Sequence, residues 1–154
     1  MSLFLIHALF QINWNFSVCL LEGKEVKIDS LLGDKITVVS FWATWCSPCK
    51  EELSFLNKLY AVYRDSGMQV IAINTDSPRN IKKVKPMVNS YEWKFLVVID
   101  PEGKLMRKFG VRALPTTFFI NSSGEIIDKK VGFSKKDKKK IEKLIKKEVK
   151  EKKE

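Results

Sequence analysis

A chain of 154 residues is long enough to bury a sizeable core and suits a single domain. Hydrophobic residues make up 45% of it and charged residues 30%, which excludes intrinsic disorder, and no apolar run approaches the ~18 to 20 residues of a membrane helix. The net charge is +10, but residues 135–154 alone hold eleven lysines and five acidic residues, so the rest of the chain is only mildly basic.

Residues 1–10 form an apolar segment ahead of a single predicted domain, residues 11–154. The segment lacks a basic n-region and a small-x-small cleavage site. It fits the trimmed end of a signal or anchor, an end added for expression, or ordered structure. Residues 12–20 then alternate apolar and polar side chains, which predicts a half-buried strand. A turn at 22–24 and a second strand at 26–28 complete a predicted hairpin.

Strands and helices alternate along the rest of the chain. The patterns predict a short helix at 29–32, a strand at 36–42, a helix at 47–64, a strand at 69–74, a helix at 80–91, a strand at 95–99, a helical turn at 104–109, strands at 116–121 and 125–131, and a helix at 134–150. This order implies an α/β fold with a mixed central sheet flanked by helices. Residues 46–49 would lie at the C-terminal end of a central strand.

The C-terminal helix predicted at 134–150 is rich in lysine and amphipathic. Ile141, Leu144, Ile145 and Val149 recur at helical spacing, which predicts a face packed on the core. The lysines on the opposite face are interpreted as solvated rather than as a nucleic-acid or anionic-lipid patch, because no aromatic residue is interleaved among them. No nucleic-acid partner is therefore predicted.

Two cysteines at CxxC spacing, Cys46-Ser47-Pro48-Cys49, stand between an apolar strand and a helical pattern. At the first turn of a helix, unpaired N–H groups and the macrodipole favour a thiolate at Cys46, which is the attacking species in disulfide exchange. Cys49, one turn deeper, would attack Cys46 to release a mixed disulfide. Pro48 is tolerated there because N–H groups in the first helical turn have no acceptor within the helix, so the N–H that proline lacks is not needed. The motif therefore predicts a redox-active pair.

A structural zinc site is the alternative use of a CxxC pair, and it needs a second Cys or His pair. The chain offers only Cys19 and His7, which lie upstream and far apart. A redox pair is therefore favoured, and no metal ligand is predicted. Cys19 is interpreted as an unpaired cysteine and His7 as a residue without a catalytic role.

Four segments together resemble the thioredoxin superfamily. They are residues 42–50 (WATWCSPCK), 70–76, 110–120 and 121–127. The first resembles the active-site segment of that superfamily, and residues 70–76 resemble the next core strand. Residues 110–120 resemble the segment with the cis-proline that faces the active site, which would be Pro115. The combination is far more specific than CxxC alone.

Three departures from ordinary thioredoxin resemble the TlpA/ResA-like branch of thiol-disulfide oxidoreductases. Thioredoxin has a buried aspartate six residues before its first active-site cysteine, where this chain has Ser40. The branch has a glutamate three residues after its second cysteine, and here that residue is Glu52. The 38 residues between Asp76 and Pro115 exceed the gap in thioredoxin, and they can hold the helix and strand of a central insertion.

The resemblance implies a thioredoxin-like fold with an N-terminal β-hairpin, a central helix-strand insertion, and a catalytic set of Cys46, Cys49, Glu52 and Pro115. Glu52 would manage the proton of the Cys49 thiol; the alternative is a surface glutamate favoured by the helix dipole. Pro115, in cis, would hold Leu114 beside the sulfurs, where its backbone could pair with an extended substrate. The expected substrate-binding residues are Trp45, Ser47, Pro48 and Leu114.

The implied activity is thiol-disulfide exchange in the reducing direction, because the residues between the cysteines include no histidine. The implied partners are protein disulfide substrates, with apocytochrome c the most familiar, and an upstream thiol electron donor that is membrane-bound or thioredoxin-like. We expect a monomer located outside the cytoplasm, with a cytoplasmic protein as the alternative, and no metal or organic cofactor. Two other functions stay open, namely a thioredoxin-fold metal- or protein-binding module without turnover and a thiol peroxidase.

Overall fold

The computed structural model describes residues 12–150, and a seven-stranded sheet runs through this part of the chain. The strands are β1 (Ser17–Leu20), β2 (Glu25–Lys27), β3 (Ile36–Trp42), β4 (Met68–Asn74), β5 (Leu96–Ile99), β6 (Thr116–Asn121) and β7 (Ile126–Val131). Their order across the sheet is β2-β1-β5-β4-β3-β6-β7. The predicted hairpin and the inserted strand β5 therefore lie side by side and build one half of the sheet.

The sheet is mixed, as predicted. Strands β3, β4 and β5 run parallel to one another, whereas β6 is antiparallel to β3, β7 to β6, and β1 to both β2 and β5. Consequently the C-terminal ends of β3 and β4 lie at the same edge of the sheet as the start of β6. Trp42 ends β3 at that edge, opposite Asn74 of β4, and Phe41 pairs with Thr116 of β6.

Helices cover both faces of the sheet. The α-helices of residues 12–150 are α1 (Ser47–Tyr63), α2 (Val84–Ser90), α3 (Lys104–Lys108) and α4 (Asp137–Lys150), and short 3-10 turns occupy Ile28–Leu31, Arg64–Ser66 and Ile81–Lys83. Helices α1, α2 and α4 contribute to one buried cluster, here called the redox-side core, which contains both Cys46 and Cys49. Helix α3 packs on the other face, against the opposite core.

Strand β3 is buried along its whole length because both faces of the sheet are covered. Val38 and Trp42 point into the redox-side core, whereas Val39 and Phe41 point into the opposite core. This follows from the two-residue period of a strand, which sends successive side chains to opposite faces. The continuous apolar run that predicted this strand is therefore explained by burial on both sides.

Two predicted elements are shorter than their patterns. The strand predicted at 12–20 enters the sheet only at Ser17. The preceding residues keep the alternation of apolar and polar side chains, but packing against the opposite core holds them in place of strand pairing. The Trp14 indole N–H also donates to the Gly124 carbonyl at 2.9 Å. The helix predicted at 80–91 becomes a 3-10 turn followed by α2. Pro86 has no N–H to donate to the carbonyl of residue 82, so the α-helix begins only at Val84.

The Lys-rich helix α4 begins at Asp137, later than the predicted residue 134. The Asp137 carboxylate accepts hydrogen bonds from the Ser134 N–H at 2.7 Å and from its hydroxyl at 3.3 Å, so residues 134–136 form the turn that enters the helix. Ile141 and Ile145 are fully buried, which confirms the predicted core face. Within residues 12–150 no helix combines the length and apolar character of a membrane span. Residues 1–10 and His7 lie outside the described residues.

Candidate active site

A disulfide joins Cys46 and Cys49 at the start of α1, with their Cα atoms 5.3 Å apart. The chain leaves β3 at Trp42 and turns sharply, because the Cys46 N–H donates to the Ala43 carbonyl at 3.1 Å. Cys46 is the N-cap of α1, and its sulfur accepts a hydrogen bond from the Cys49 N–H at 3.3 Å. The predicted position of the pair at a helix N-terminus is therefore confirmed.

The residues around the disulfide differ sharply in exposure. Trp45 is 70% exposed, and Ser47 and Pro48 are exposed as well. Cys46 retains 5% of its surface, whereas Cys49 retains none. Cys46 is therefore the more exposed of the two residues, and its role as the attacking cysteine stays a prediction.

The loop before β6 lies at the same edge of the sheet as the disulfide. The peptide bond between Leu114 and Pro115 is cis, as the resemblance implied. Leu114 is half-buried and packs against the redox-side core, which contains both cysteines. The Thr116 hydroxyl donates to the Ala113 carbonyl at 2.6 Å, and the Pro115 carbonyl accepts from the Gly132 N–H at 2.8 Å. These bonds attach the loop before β6 to its neighbours at the edge of the sheet where the disulfide lies, here called the redox edge.

Glu52 is fully buried, one helical turn beyond Cys49 on α1, so the structure contradicts its interpretation as a surface charge. Its Oε1 accepts hydrogen bonds from the Ser40 hydroxyl at 2.6 Å and the Thr117 hydroxyl at 2.7 Å. Its Oε2 has no hydrogen-bond partner within residues 12–150. Residues three apart on a helix share a face, so Glu52 and Cys49 are neighbours.

Burial raises the pKa of Glu52 from its ordinary 4.5 to about 7. The hydrogen bonds from Ser40 and Thr117 oppose the rise because they favour the charged form, and the negative charge of Asp137 adds to it. A carboxyl group with such a pKa exchanges its proton close to neutral pH. The site therefore combines a redox pair with a buried acid-base group.

Comparison with known proteins agrees with this geometry. Residues 11–129 match the AhpC/TSA family. The chain belongs to the AhpC/TSA family. Its relatives include the thiol-disulfide oxidoreductase ResA of Bacillus thuringiensis (strain Al Hakam), 39% identical over 118 residues. That alignment covers 77% of this chain but only 66% of the relative. ResA of Bacillus cereus (strain ATCC 10987 / NRS 248) is 37% identical over 133 residues, which cover 86% of this chain and 74% of the relative.

A solved structure from Chlorobium tepidum, assigned as a thiol:disulfide interchange protein DsbE, superimposes with a TM-score of 0.79 at 30% identity. The superposition covers 87% of this chain and 92% of that one. The expected thioredoxin-like fold, with its N-terminal hairpin and central insertion, is thus confirmed, as is the ResA-like branch.

The sequence patterns missed a second buried carboxylate beside the active-site turn. Asp76 follows β4 and is 1% exposed. Its Oδ2 accepts from the Thr44 N–H at 2.8 Å and from the Asn74 side-chain amide at 2.7 Å, and its Oδ1 accepts from the Thr44 hydroxyl at 2.8 Å. This network fixes the turn that leads into Trp45 and Cys46. The only available signal was a lone acidic residue directly after a buried strand.

The sequence marks one of the two hydrogen-bond partners of Glu52. Ser40 is the residue that replaces the aspartate of thioredoxin, whereas no sequence pattern marks Thr117. The two residues are direct partners in the antiparallel pairing of β3 with β6. Because the register of two strands 77 residues apart cannot be derived from their own patterns, this contact was not predictable from the sequence.

Trp93 packs inside the redox-side core. Its ring meets that of Trp42 edge-to-face, with centroids 5.3 Å apart, and its N–H donates to the Ser54 hydroxyl at 3.3 Å. Trp42 is fully buried behind the active-site turn. Cys19 pairs with Glu25 and Ile99 in the other half of the sheet, away from the disulfide.

Proposed function

We propose that this chain is a thiol-disulfide oxidoreductase that reduces disulfides in proteins outside the cytoplasm. The observation that carries the proposal is the position of the Cys46–Cys49 disulfide at the N-terminus of α1, with Cys46 the more exposed residue and the titratable Glu52 one turn beyond Cys49. The ResA-like relatives support it, although the first of them extend well beyond the aligned region.

The reaction begins with the reduced protein. The Cys46 thiolate, favoured by the unpaired N–H groups of the first turn, attacks one sulfur of a disulfide in the partner protein. A mixed disulfide forms and the partner's other sulfur leaves as a thiolate, which takes up a proton. The Cys49 thiol then loses its proton and attacks the Cys46 sulfur. The partner leaves with two thiols, and the chain is left with the Cys46–Cys49 disulfide.

Glu52 is the proposed acceptor of the Cys49 proton. It lies on the same face of α1 as Cys49, and its Oε2 is free of hydrogen-bond partners among the described residues. A pKa of about 7 leaves a substantial fraction of the carboxyl group ionised at neutral pH, ready to accept a proton. The other buried carboxylates of residues 12–150 are Asp76 and Asp100, whose oxygens accept hydrogen bonds from Thr44 and Asn74 and from the backbone of Leu105 and Met106.

The residues around Cys46 form the proposed surface for the partner protein. Trp45, Ser47 and Pro48 are exposed on the near side of the disulfide, and the Leu114–Pro115 loop borders the other side. An extended segment of the partner would pair with the Leu114 backbone in β-fashion, as in strand addition. This arrangement would align the target disulfide with the Cys46 sulfur.

The reducing direction follows from the residues between the cysteines. Ser47 and Pro48 include no histidine that would stabilise the thiolate further and make the disulfide a strong oxidant. We therefore expect a reduction potential more negative than about −150 mV, measured by equilibration with glutathione. Electrons would come from an upstream thiol donor, membrane-bound or thioredoxin-like, and neither a metal nor an organic cofactor takes part. Apocytochrome c is one candidate partner of the monomer.

Reduction of insulin by dithiothreitol tests the activity. We expect the chain to accelerate insulin precipitation, Cys46→Ser to abolish the acceleration, and Cys19→Ser, the matched control, to leave it unchanged. Cys49→Ser should accumulate a mixed disulfide through Cys46, detectable by mass spectrometry. Absence of turnover with intact Cys46 and Cys49 would favour a binding module, and efficient peroxide consumption would favour a thiol peroxidase.

A further inference from the structure

Segments at the edge of the sheet where the disulfide lies carry six exposed cations, here called the basic rim. They are Arg79, Lys82, Lys83, Arg112, Lys135 and Lys136. These residues come from three separate stretches of chain that meet at the redox edge of the sheet. They are distinct from the seven lysines of α4.

Hydrogen bonds attach the first of these loops, residues 75–83, directly to the active-site turn. The Thr75 N–H donates to the Trp42 carbonyl at 2.8 Å, and the Asp76 carboxylate accepts from Thr44. The loop then folds back, with the Asn80 N–H donating to the Ser77 carbonyl at 2.9 Å. Arg79 therefore lies on a loop that is bonded to the turn preceding Cys46, and Lys82 and Lys83 follow it in the chain.

The other two loops border the disulfide from the side of β6. Arg112 lies two residues before Leu114, whose side chain packs against the redox-side core. The Gly132 N–H donates to the Pro115 carbonyl at 2.8 Å, and Phe133 packs against the same core. Lys135 and Lys136 follow directly and are exposed. The basic rim thus flanks Cys46 on both sides.

Little negative charge offsets the rim. Asp76 is buried and its oxygens accept hydrogen bonds, and Asp137 accepts those of Ser134. Glu51, on the first turns of α1, is the exposed carboxylate nearest in sequence to the cysteines. Within residues 12–150, none of the six cations of the rim forms an ion pair. Their charges are therefore available to a partner.

We propose that the basic rim recruits an acidic polypeptide segment, so that the disulfides reduced best are those flanked by Asp and Glu on both sides. This rests on the proposed function, since the rim surrounds the sulfur that function assigns to attack. A polypeptide fits better than a membrane or a nucleic acid because only a polypeptide brings a disulfide to Cys46. Charges that line a reactive site in this way raise association rates by about 10- to 1000-fold, and salt suppresses the gain.

Three synthetic peptides of equal length test the proposal, each with one internal disulfide flanked by Glu, Gln or Lys. Reduced protein is mixed with each in a single turnover, in which the protein's two thiols become a disulfide and the peptide's disulfide becomes two thiols. Acid-quenched samples are quantified by mass spectrometry. At low salt we expect the Glu peptide to react about tenfold faster than the Gln peptide and the Lys peptide to react slowest, with the differences nearly lost at 0.5 M salt.

The double variant Arg79→Gln/Arg112→Gln should slow the Glu peptide several-fold and leave the Gln peptide unchanged. Lys143→Gln/Lys147→Gln on α4 removes the same charge from exposed positions at least six residues beyond the start of that helix, and it should change neither rate. Equal rates for the three peptides would overturn this inference alone. Failure to reduce even the Gln peptide and insulin would overturn the proposed function and the inference with it.

Sedimentation with vesicles of phosphatidylcholine and phosphatidylglycerol tests whether the basic rim binds a membrane surface instead of a polypeptide. The proposal expects the Arg79→Gln/Arg112→Gln variant to sediment with these vesicles to the same extent as the unmodified chain. Loss of vesicle binding in that variant, together with equal rates for the three peptides, would assign the rim to anionic lipid and overturn the proposal.

Discussion

Two buried carboxylates border the active-site segment, and they are satisfied to different degrees. Asp76, after β4, accepts three hydrogen bonds shared between both of its oxygens, from Thr44 and Asn74. Glu52, on α1, accepts two on Oε1 and none on Oε2 from residues 12–150. Both side chains are almost completely removed from solvent. The two sites therefore share burial and differ in hydrogen bonding.

This difference in hydrogen bonding gives Asp76 a structural role and makes Glu52 a group that can exchange a proton. Donors on both oxygens of Asp76 replace the water lost on burial, so this carboxylate can hold the backbone of Thr44 in place. For Glu52 the replacement is incomplete, and burial raises its pKa to about 7. An incompletely paired carboxyl group is costly to keep charged, and for that reason it can take up and release a proton at neutral pH.

The largest expected effect is the loss of Asp76. Asp76→Ala leaves the Thr44 N–H, the Thr44 hydroxyl and the Asn74 amide without their acceptor in a buried site. We expect the free energy of unfolding of the oxidised protein to fall by about 3 kcal/mol or more, measured by urea denaturation at pH 7.

Asp65→Ala is the control for that experiment, because the Asp65 carboxylate is 99% exposed and its 3.9 Å ion pair with Arg64 lies on the surface. A surface pair of this kind contributes about 1 kcal/mol at most. If both substitutions cost equally little, the Asp76 network does not hold the turn.

The next effect is on the pH dependence of stability. The pKa of Glu52 is higher in the folded chain than in the unfolded one, so the folded state binds more protons between pH 4.5 and about 7. Stability from this group is therefore present below pH 4.5 and is lost as the pH rises through about 7. Glu52→Gln keeps an acceptor for Ser40 and Thr117 without the charge. We expect it to unfold less readily than the unmodified protein at pH 8.5, by on the order of 3 kcal/mol, and to show no such advantage at pH 4.

Glu51→Gln provides the matched control, because this neighbouring glutamate is exposed. Urea denaturation of both variants at the two pH values should show the pH-dependent difference for Glu52→Gln only. A parallel pH response in the two variants would mean that burial of Glu52 does not perturb its titration.

How much of these two sites the sequence predicts depends on how far apart along the chain the contacting residues are. The cysteines, α1 and the position of Glu52 are local, since one helix brings Cys49 and Glu52 to the same face through their spacing of three residues. Pro115 and Leu114 were identified through resemblance, because a proline distant in sequence leaves no periodic signal. The β3 and β4 strands followed from their apolar runs, which both cores bury.

The hydrogen bonds that distinguish Glu52 from Asp76 were not predictable in the same way. Ser40 and Thr117 meet only through the register of β3 with β6, and Thr44 meets Asp76 only because β3 and β4 end together. Burial of Glu52 likewise depends on the cover that α4 and the sheet provide. Sequence patterns describe the faces of single elements, whereas these contacts depend on how separate elements align.

The rate at which Cys49 resolves the mixed disulfide should also depend on Glu52. In Glu52→Gln the proposed proton acceptor for Cys49 is missing, so the mixed disulfide should be resolved about tenfold more slowly or worse at pH 7. Its formation through Cys46 should be unaffected. Rapid-quench mass spectrometry of the mixed disulfide measures both steps. Equal resolution rates in Glu52→Gln and Glu51→Gln would remove Glu52 from the mechanism.

The smallest expected effect comes from one donor to Glu52. The Ser40 hydroxyl donates to Oε1 at 2.6 Å and favours the charged carboxylate, so Ser40→Ala should raise the pKa of Glu52 further, by about one unit. Thr117→Val, which removes the second donor and keeps the side-chain shape, should act in the same direction. Carbon-13 NMR of the Glu52 carboxyl group in the oxidised protein reads the pKa directly. Ser40→Thr keeps a hydroxyl donor at this position, so its Glu52 should have the same pKa as in the unmodified protein. An unchanged pKa in both donor-deletion variants would show that burial alone sets the titration of Glu52 and that its hydrogen bonds only orient the side chain.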